Sequence, residues 1–310
     1  SALTDPTYDR SHKYFVDATP TLGDAYIGDG WKTYLVGGLR AGGKSIYALD
    51  VSNPNSFSAT NVKWEFNDSS ISTPNTPGDD MGLTFGQPQI AAISEDRWAV
   101  IFGNGYNSAS EDAVLFIVDL EDGSLIAGIP TNSGPSNGLS TPFPFDKDGD
   151  GIVDVIYAGD LQGNLWKFEK DDLGDWVLGN EGDPLFIARI DSNYPVQAIT
   201  TQPNAILVDG KVMVYFGTGR YLEASDLIND EVQTFYAIED KESSPGTVSR
   251  TNLLEQEIIS SAVTAGSFTA RTVTNNPTTD HPNNRGCYLD FPATPGQPSE
   301  RIGAASLIKF

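Results

Sequence analysis

Residues 156–169, Ile-Tyr-Ala-Gly-Asp-Leu-Gln-Gly-Asn-Leu-Trp-Lys-Phe-Glu, contain two short runs of β-branched, aromatic and aliphatic residues joined by a glycine-containing turn. The first run ends at Gly159-Asp160, and the second ends at the acidic residue Glu169. Short runs of this composition, bounded by Gly, Asn and Asp, are typical of β-strands. The stretch therefore predicts two consecutive strands.

The same pair of runs occurs four times along the chain. The other glycine-ended runs are at 34–38, 100–105 and 214–219, and the runs that follow them are at 45–50, 115–119 and 234–239. The first glycines of successive units lie 66, 56 and 58 residues apart. Each unit opens with a proline, whose missing N–H suits a strand start or edge, at Pro20, Pro88, Pro142 and Pro203. The chain is therefore a repeat protein built from strands.

Repeats of about 40–60 residues with four short strands each are typical of a β-propeller, whose blades bury both faces only against their neighbours. We predict an all-β fold: one distorted β-propeller domain over residues 1–310 with seven quinoprotein-like blades. Four units are clear, so the remaining blades would be degenerate ones from residues 1–19 and 240–310. An array of β-sandwiches is the alternative, and the strict order of the units argues against it.

The charge of the chain limits its partners. It has 42 acidic and 19 basic residues, a formal net charge of −23, so a nucleic acid or an anionic membrane surface would repel it. No apolar run approaches the roughly 18 residues of a membrane span, and the first residues lack the features of a signal peptide. We expect an exported protein to contain this chain as a mature part or an excised domain.

Residues 146–154, Asp-Lys-Asp-Gly-Asp-Gly-Ile-Val-Asp, predict a calcium site. EF-hand loops take oxygen ligands from positions 1, 3, 5, 7 and 9 and need glycine at position 6. The corresponding ligands here are Asp146, Asp148, Asp150, the carbonyl of Ile152, and Asp154. Tyr157 occupies position 12, where an EF-hand has a bidentate glutamate, and a β run follows the loop. We therefore predict an EF-hand-like Ca²⁺ loop between strands.

Two other interpretations of this loop stay open. Acidic Asp-x-Asp-Gly stretches also form solvated turns without any ion, because Asp and Gly suit turn conformations. A bound ion could also serve only to hold the loop in place.

Enzymatic function is not expected. Quinoprotein dehydrogenases are calcium-binding propellers, but they commonly carry a vicinal disulfide that one cysteine cannot supply, and their calcium ligands are spread across blades. Two histidines and one cysteine without recognisable spacing make no zinc site. A carboxylate pair for glycoside cleavage stays open because acids are abundant. A lectin-like or integrin-like binding propeller with a purely structural calcium is a further alternative.

Several stretches resemble one known family. They are Gly-Trp-Lys-Thr at 30–33, Ile-Tyr-Ala-Leu-Asp at 46–50, Phe-Gly-Asn-Gly-Tyr-Asn-Ser at 102–108, residues 157–168 and Tyr-Phe-Gly-Thr-Gly-Arg-Tyr-Leu at 215–222. With them the chain resembles the PilC/PilY-type proteins of the type IV pilus, which are pilus biogenesis factors and tip-associated adhesins. The resemblance covers essentially the whole chain.

The resemblance implies the C-terminal propeller domain of a larger, extracellular, pilus-associated surface protein. It implies Ca²⁺ at the acidic loop, with occupancy tied to pilus extension and retraction, and hence to twitching motility and virulence. Pilus subunits and a host or abiotic surface are the implied partners. It implies no catalytic residue and no cofactor other than calcium.

Overall fold

The computed structural model describes residues 12–71, 80–242, 245–265, 268–277, 284–292 and 299–303. This part of the chain contains twenty β-strands, short 3₁₀ helices and no α-helix. The 3₁₀ helices are Arg40–Gly42, Pro54–Ser56, Ala59–Asn61, Asp68–Ser70, Asn180–Gly182, Ala224–Ile228 and Arg250–Asn252. Among the described residues, no helix has the length and apolar character of a membrane span.

The first two blades are four-stranded antiparallel sheets whose strands follow one another in chain order. The first blade consists of β1 (Thr21–Ile27), β2 (Gly30–Gly38), β3 (Ile46–Asp50) and β4 (Val62–Phe66). The second blade consists of β5 (Gln89–Ser94), β6 (Arg97–Gly103), β7 (Val114–Asp119) and β8 (Leu125–Pro130).

The third and fourth blades are five-stranded. The third consists of β9 (Phe143–Phe145), β10 (Val155–Gly159), β11 (Asn164–Lys170) and β12 (Trp176–Leu178), with β13 (Phe186–Ile187) also paired to β11. The fourth has β14 (Asn204–Val208), β15 (Lys211–Gly217), β16 (Thr234–Asp240), β20 (Gly286–Asp290) and β17 (Leu254–Gln256) in that spatial order. Strands β18 (Ile258–Ala265) and β19 (Phe268–Val273) form a separate hairpin.

The predicted repeat is confirmed strand by strand. The four glycine-ended runs are the second strands β2, β6, β10 and β15, and the runs that follow them are the third strands β3, β7, β11 and β16. Each marker proline directly precedes the first strand of its blade. The sequence did not locate the fourth strands, which vary from three to six residues in the first three blades.

The part of the chain that the structure describes contains four such sheets, fewer than the seven blades predicted for residues 1–310. Residues 12–20 form no strand there. Instead of starting further blades, β20 pairs with β16 and β17 pairs with β20 in parallel, so both strands complete the fourth blade. Pairing with β16 satisfies backbone groups that would otherwise lie at an exposed edge.

The core lies between the blades because successive side chains of a strand point to opposite faces. In β6, Val100 and Phe102 pack with the first blade, and Ile101 packs with the third. In β10, Ile156 packs with the second blade and Tyr157 with the fourth. The second and third blades are therefore buried on both faces, as the propeller interpretation requires.

Each of the last three second strands ends where a later segment of the chain crosses it. A Cβ atom at Gly103 would lie 2.3 Å from the Ser140 carbonyl oxygen, and one at Gly159 would lie 2.2 Å from Cγ2 of Ile199. At Gly217 the corresponding atom is Cγ1 of Ile302, at 2.2 Å. These positions exclude any side chain, which explains why glycine recurs there. Residues 299–303 thus lie against the fourth blade as the segments around Ser140 and Ile199 lie against theirs.

The residue after each of these glycines is polar and buried, and its side chain ties the second strand to the third. The side-chain oxygens of Asn104, Asp160 and Thr218 accept a hydrogen bond from the first backbone N–H of the third strand, at 3.1, 2.8 and 2.8 Å. Asp160 Oδ2 also accepts from Trp166 Nε1 at 2.8 Å. A glycine followed by a hydrogen-bonding side chain is therefore the structural unit behind the sequence repeat.

Replacing Gly103 by alanine tests this close approach. Because the neighbouring atoms are backbone carbonyls of Leu139 and Ser140, which cannot rotate away, we expect Gly103→Ala to lower the free energy of unfolding by about 3 kcal/mol. Gly30→Ala is the control, since a Cβ there meets no atom within 4 Å. Urea denaturation measures both variants, and equal stabilities would contradict the packing argument.

Candidate calcium site

The acidic loop connects β9 to β10, and its glycines allow it to fold back on itself. Gly149 and Gly151 have φ angles of +83° and +91°, which favour glycine. The two carboxylate oxygens of Asp146 each accept a backbone hydrogen bond, from Gly149 and from Gly151, at 2.7 Å. Desolvation alone would raise the pKa of Asp146, but these hydrogen bonds outweigh it and the pKa lies below its usual value. The carboxylate is therefore held in its charged form and in a fixed orientation.

The loop brings together three of the four predicted carboxylates. Asp146, Asp148 and Asp154 each present an oxygen, and these oxygens lie within 4.8 Å of one another. Calcium–oxygen distances are about 2.3–2.6 Å, so two ligands of one ion can lie up to about 5 Å apart. Three hard carboxylate oxygens at this separation fit a calcium ion.

The other two predicted ligands, Asp150 and the carbonyl of Ile152, are not part of this group of carboxylates. Asp150 is outside the group of three, and its Oδ1 accepts a hydrogen bond from the Ile152 backbone N–H at 2.7 Å. The carbonyl of Ile152 as a ligand stays a prediction.

Contacts on both sides attach the loop to neighbouring blades. The backbone N–H of Val153 donates to the carbonyl of Ala92 in β5 of the second blade at 3.0 Å. On the other side, Lys147 Nζ lies 2.6 Å from Glu242 Oε1, just beyond β16 of the fourth blade, and lowers the pKa of that glutamate. The loop of the third blade thus touches the second and fourth blades.

A buried ion pair connects the strands behind the loop to the fourth blade. Lys167 Nζ lies 2.9 Å from Glu169 Oε2 and 3.1 Å from Asp240 Oδ2, with Lys167 and Asp240 almost fully buried. Tyr157 Oη donates to the same oxygen of Asp240 at 2.6 Å. Burial disfavours the charged form of Lys167, but the two carboxylates outweigh it and raise the pKa of the ammonium group.

Sequence reasoning missed this ion pair, although a signal was present. In the third strands of the other three blades, the residue equivalent to Lys167 is apolar: Ala48, Ile117 and Ala237. A lysine at a position that is otherwise apolar predicts a buried partner of opposite charge. Its partner Asp240 lies 73 positions further along the chain, so no local pattern identifies it.

Removing the lysine tests the ion pair. We expect Lys167→Met to lower the free energy of unfolding by about 3–5 kcal/mol, because the buried carboxylate of Asp240 loses its counter-charge. The double variant Lys167→Met, Asp240→Asn should recover more than half of the loss in urea denaturation.

Lys211→Met is the control, because that lysine is 61% exposed and its contact with Glu239 is 3.7 Å long. Its effect should stay below about 1 kcal/mol. If Lys167→Met loses no more free energy of unfolding than this control, the buried ion pair does not stabilise the fold.

Four sheets packed face to face, with an acidic loop between two strands, define a β-propeller domain with an EF-hand-like loop. The family of the PilY1 β-propeller domain matches residues 1–271, and the chain belongs to this family.

Two relatives and one solved structure show how far the similarity extends. The chain is 39% identical over 313 residues to a type IV pilus biogenesis factor PilY1 homolog of Xylella fastidiosa, covering 93% of this chain and 20% of that protein. It is 36% identical over 321 residues to type IV pilus biogenesis factor PilY1 of Pseudomonas aeruginosa, covering 91% of this chain and 26% of that protein. The crystal structure of the Pseudomonas aeruginosa PilY1 C-terminal domain superposes with a TM-score of 0.81 at 31% identity, covering 96% of this chain and 67% of that one.

Proposed function

We propose that this chain is the calcium-binding propeller domain, residues 1–310, of a type IV pilus biogenesis factor at the bacterial cell surface. The observation that carries the proposal is the convergence of the carboxylates of Asp146, Asp148 and Asp154 in a chain of this family. The relatives it matches are named pilus biogenesis factors, which favours a pilus role over the quinoprotein enzyme. The domain would act on pilus subunits without catalysis, and would adhere to host or abiotic surfaces.

Calcium would act by changing the charge balance of the loop. Without a cation, the three carboxylates repel one another, by about 1 kcal/mol for a pair 4 Å apart in water. Asp146, Asp148 and Asp154 would hold the ion, which supplies the compensating positive charge. Val153 and Lys147 connect this loop to the second and fourth blades. A loop that becomes ordered would therefore also restrain those two blades. A partner that contacts this edge would respond to calcium, which is how occupancy would influence pilus extension and retraction.

Calorimetric titration of EDTA-stripped protein with calcium tests the loop. We expect one saturable site in the wild type and no binding in the double variant Asp148→Ala, Asp154→Ala, which removes two of the three carboxylates. Asp172→Ala, Asp175→Ala is the matched control, because it removes the same charge from another exposed acidic turn. Absence of binding in the wild type, or equal loss in the control, would overturn the calcium site.

A bacterium that carries the full-length protein with the Asp148→Ala, Asp154→Ala substitutions tests the pilus role. We expect fewer surface pili, measured as sheared pilin relative to total pilin at equal protein level. Chelation of calcium should lower piliation in the wild type and in the Asp172→Ala, Asp175→Ala control, and should have no further effect in the loop variant. Wild-type piliation in a variant that no longer binds calcium would favour a binding propeller with a purely structural ion.

A further inference from the structure

A cavity of about 390 Å³ lies at the ends of the second strands, away from the acidic loop. Its lining residues include Arg40, which follows β2, Tyr106, which follows β6, and Arg220, which follows β15. The acidic loop instead precedes its second strand, β10. The cavity and the loop therefore occupy opposite ends of equivalent strands. A volume of this size is within the usual range for small-ligand pockets.

The charge of the cavity is opposite to that of the chain. Three arginines line it, Arg40, Arg220 and Arg301, and no aspartate or glutamate among the described residues does. In the chain as a whole, acidic residues outnumber basic ones by 42 to 19. A set of lining residues with three cations and no anion therefore runs against the composition of the protein and favours a negatively charged ligand.

Two of these guanidinium groups have little compensating charge nearby. Arg301 donates to the backbone carbonyls of Arg220 and Asn229, at 2.6 and 3.0 Å, and contacts no carboxylate within the ranges that the structure describes. Arg40 lies 3.9 Å from Asp17, at the limit of an ion pair, and its side chain is 48% exposed. Arg220, in contrast, has a close carboxylate, with its Nε 2.9 Å from Asp226 Oδ1.

The backbone at Arg40 supports a functional role for its position. Arg40 has a φ angle of +52°, in the left-handed region that residues other than glycine seldom adopt. Backbone strain of this kind is concentrated at ligand sites, where it fixes the direction of a side chain. Here the guanidinium lies over the ring of Phe85, 5.1 Å from its centroid.

The remaining lining distinguishes between kinds of anion. Phe85, Tyr221, Leu222 and Ile302 offer aromatic and aliphatic surface beside the arginines. Among the described residues, the lining contains no Asp, Glu, Asn or Gln, so no carboxylate or amide oxygen is available there to accept hydrogen bonds from the hydroxyl groups of an acidic sugar. Arginine forks match planar carboxylates, and the apolar wall matches a hydrocarbon side chain.

We propose that this cavity binds a polypeptide through a carboxylate carried on an apolar residue, such as a chain terminus that ends in an aromatic side chain. Arg40 and Arg301 receive the carboxylate, and the apolar wall receives the side chain. The inference goes beyond the proposed calcium function and does not depend on it, because none of the lining residues belongs to the acidic loop.

Titration calorimetry of the intact chain in EDTA tests the proposal with acetyl-Gly-Gly-Phe as the probe. We expect saturable binding of the free carboxylate and binding at least about tenfold weaker for the same peptide as its amide, since a charge-assisted hydrogen bond is lost. Glucuronate and inorganic phosphate should bind more weakly than the peptide acid. Equal affinity for the amide, tighter binding of either of these anions, or no binding at millimolar peptide would overturn the proposal.

Variants of the cavity locate the bound peptide. Arg40→Asn removes the charge but keeps a residue that tolerates positive φ, and it should weaken binding about tenfold. Lys44→Asn is the matched control, because it removes the same charge from the same loop outside the cavity, and it should leave affinity unchanged.

Thr201→Val is a second control, because the hydroxyl it removes is buried and has no hydrogen-bond partner among the described residues. It should leave the affinity unchanged and should not lower the melting temperature. Unchanged affinity in Arg40→Asn, or equal losses in Arg40→Asn and Lys44→Asn, would place the peptide elsewhere.

Discussion

The crossing at the end of the second strand in the last three blades is the constraint on which the rest of this propeller depends. At Gly103, Gly159 and Gly217 a later segment of the chain passes so close that no side chain fits. The next residue, Asn104, Asp160 or Thr218, then holds the start of the third strand through a buried hydrogen bond. The absence of a side chain allows the connecting segment to approach the second strand, and the polar side chain fixes where the third strand begins.

This arrangement separates two chemically different surfaces. Segments that precede the second strands are free to form turns, and the turn before β10 concentrates carboxylates at one end of the third blade. Segments that follow the second strands converge at the crossings, and there the chain places arginines beside aromatic rings. A strongly acidic chain therefore carries a cluster of carboxylates at one end of its strands and a cationic cavity at the other.

Apolar packing alone does not distinguish one pair of blades from another, because all three interfaces consist of similar aliphatic and aromatic side chains. The ion pair between Lys167 and Asp240 is specific to the interface between the third and fourth blades. Burying these charges is unfavourable unless they meet, so the pair favours an arrangement of the two sheets in which they do. The acidic loop is connected to the same interface through Lys147 and Glu242.

The sequence by itself determined the features that depend on local spacing. Alternating β runs, the prolines before first strands and the glycines after second strands predicted the all-β fold and the order of strands. The spacing of acids predicted a loop in which Asp146, Asp148 and Asp154 do come together, because nine consecutive residues can converge only by local turns.

Tertiary structure decided the features that join distant parts of the chain. The fourth blade is completed by β20, which pairs with a strand more than forty residues earlier, and this pairing replaced the additional blades that the sequence suggested in that region. The partner of Lys167 and the meeting of Arg40, Arg220 and Arg301 likewise depend on how whole sheets stack. Contacts of this kind are set by the packing of blade faces, and residues separated by tens or hundreds of positions leave no periodic signal from which to predict them.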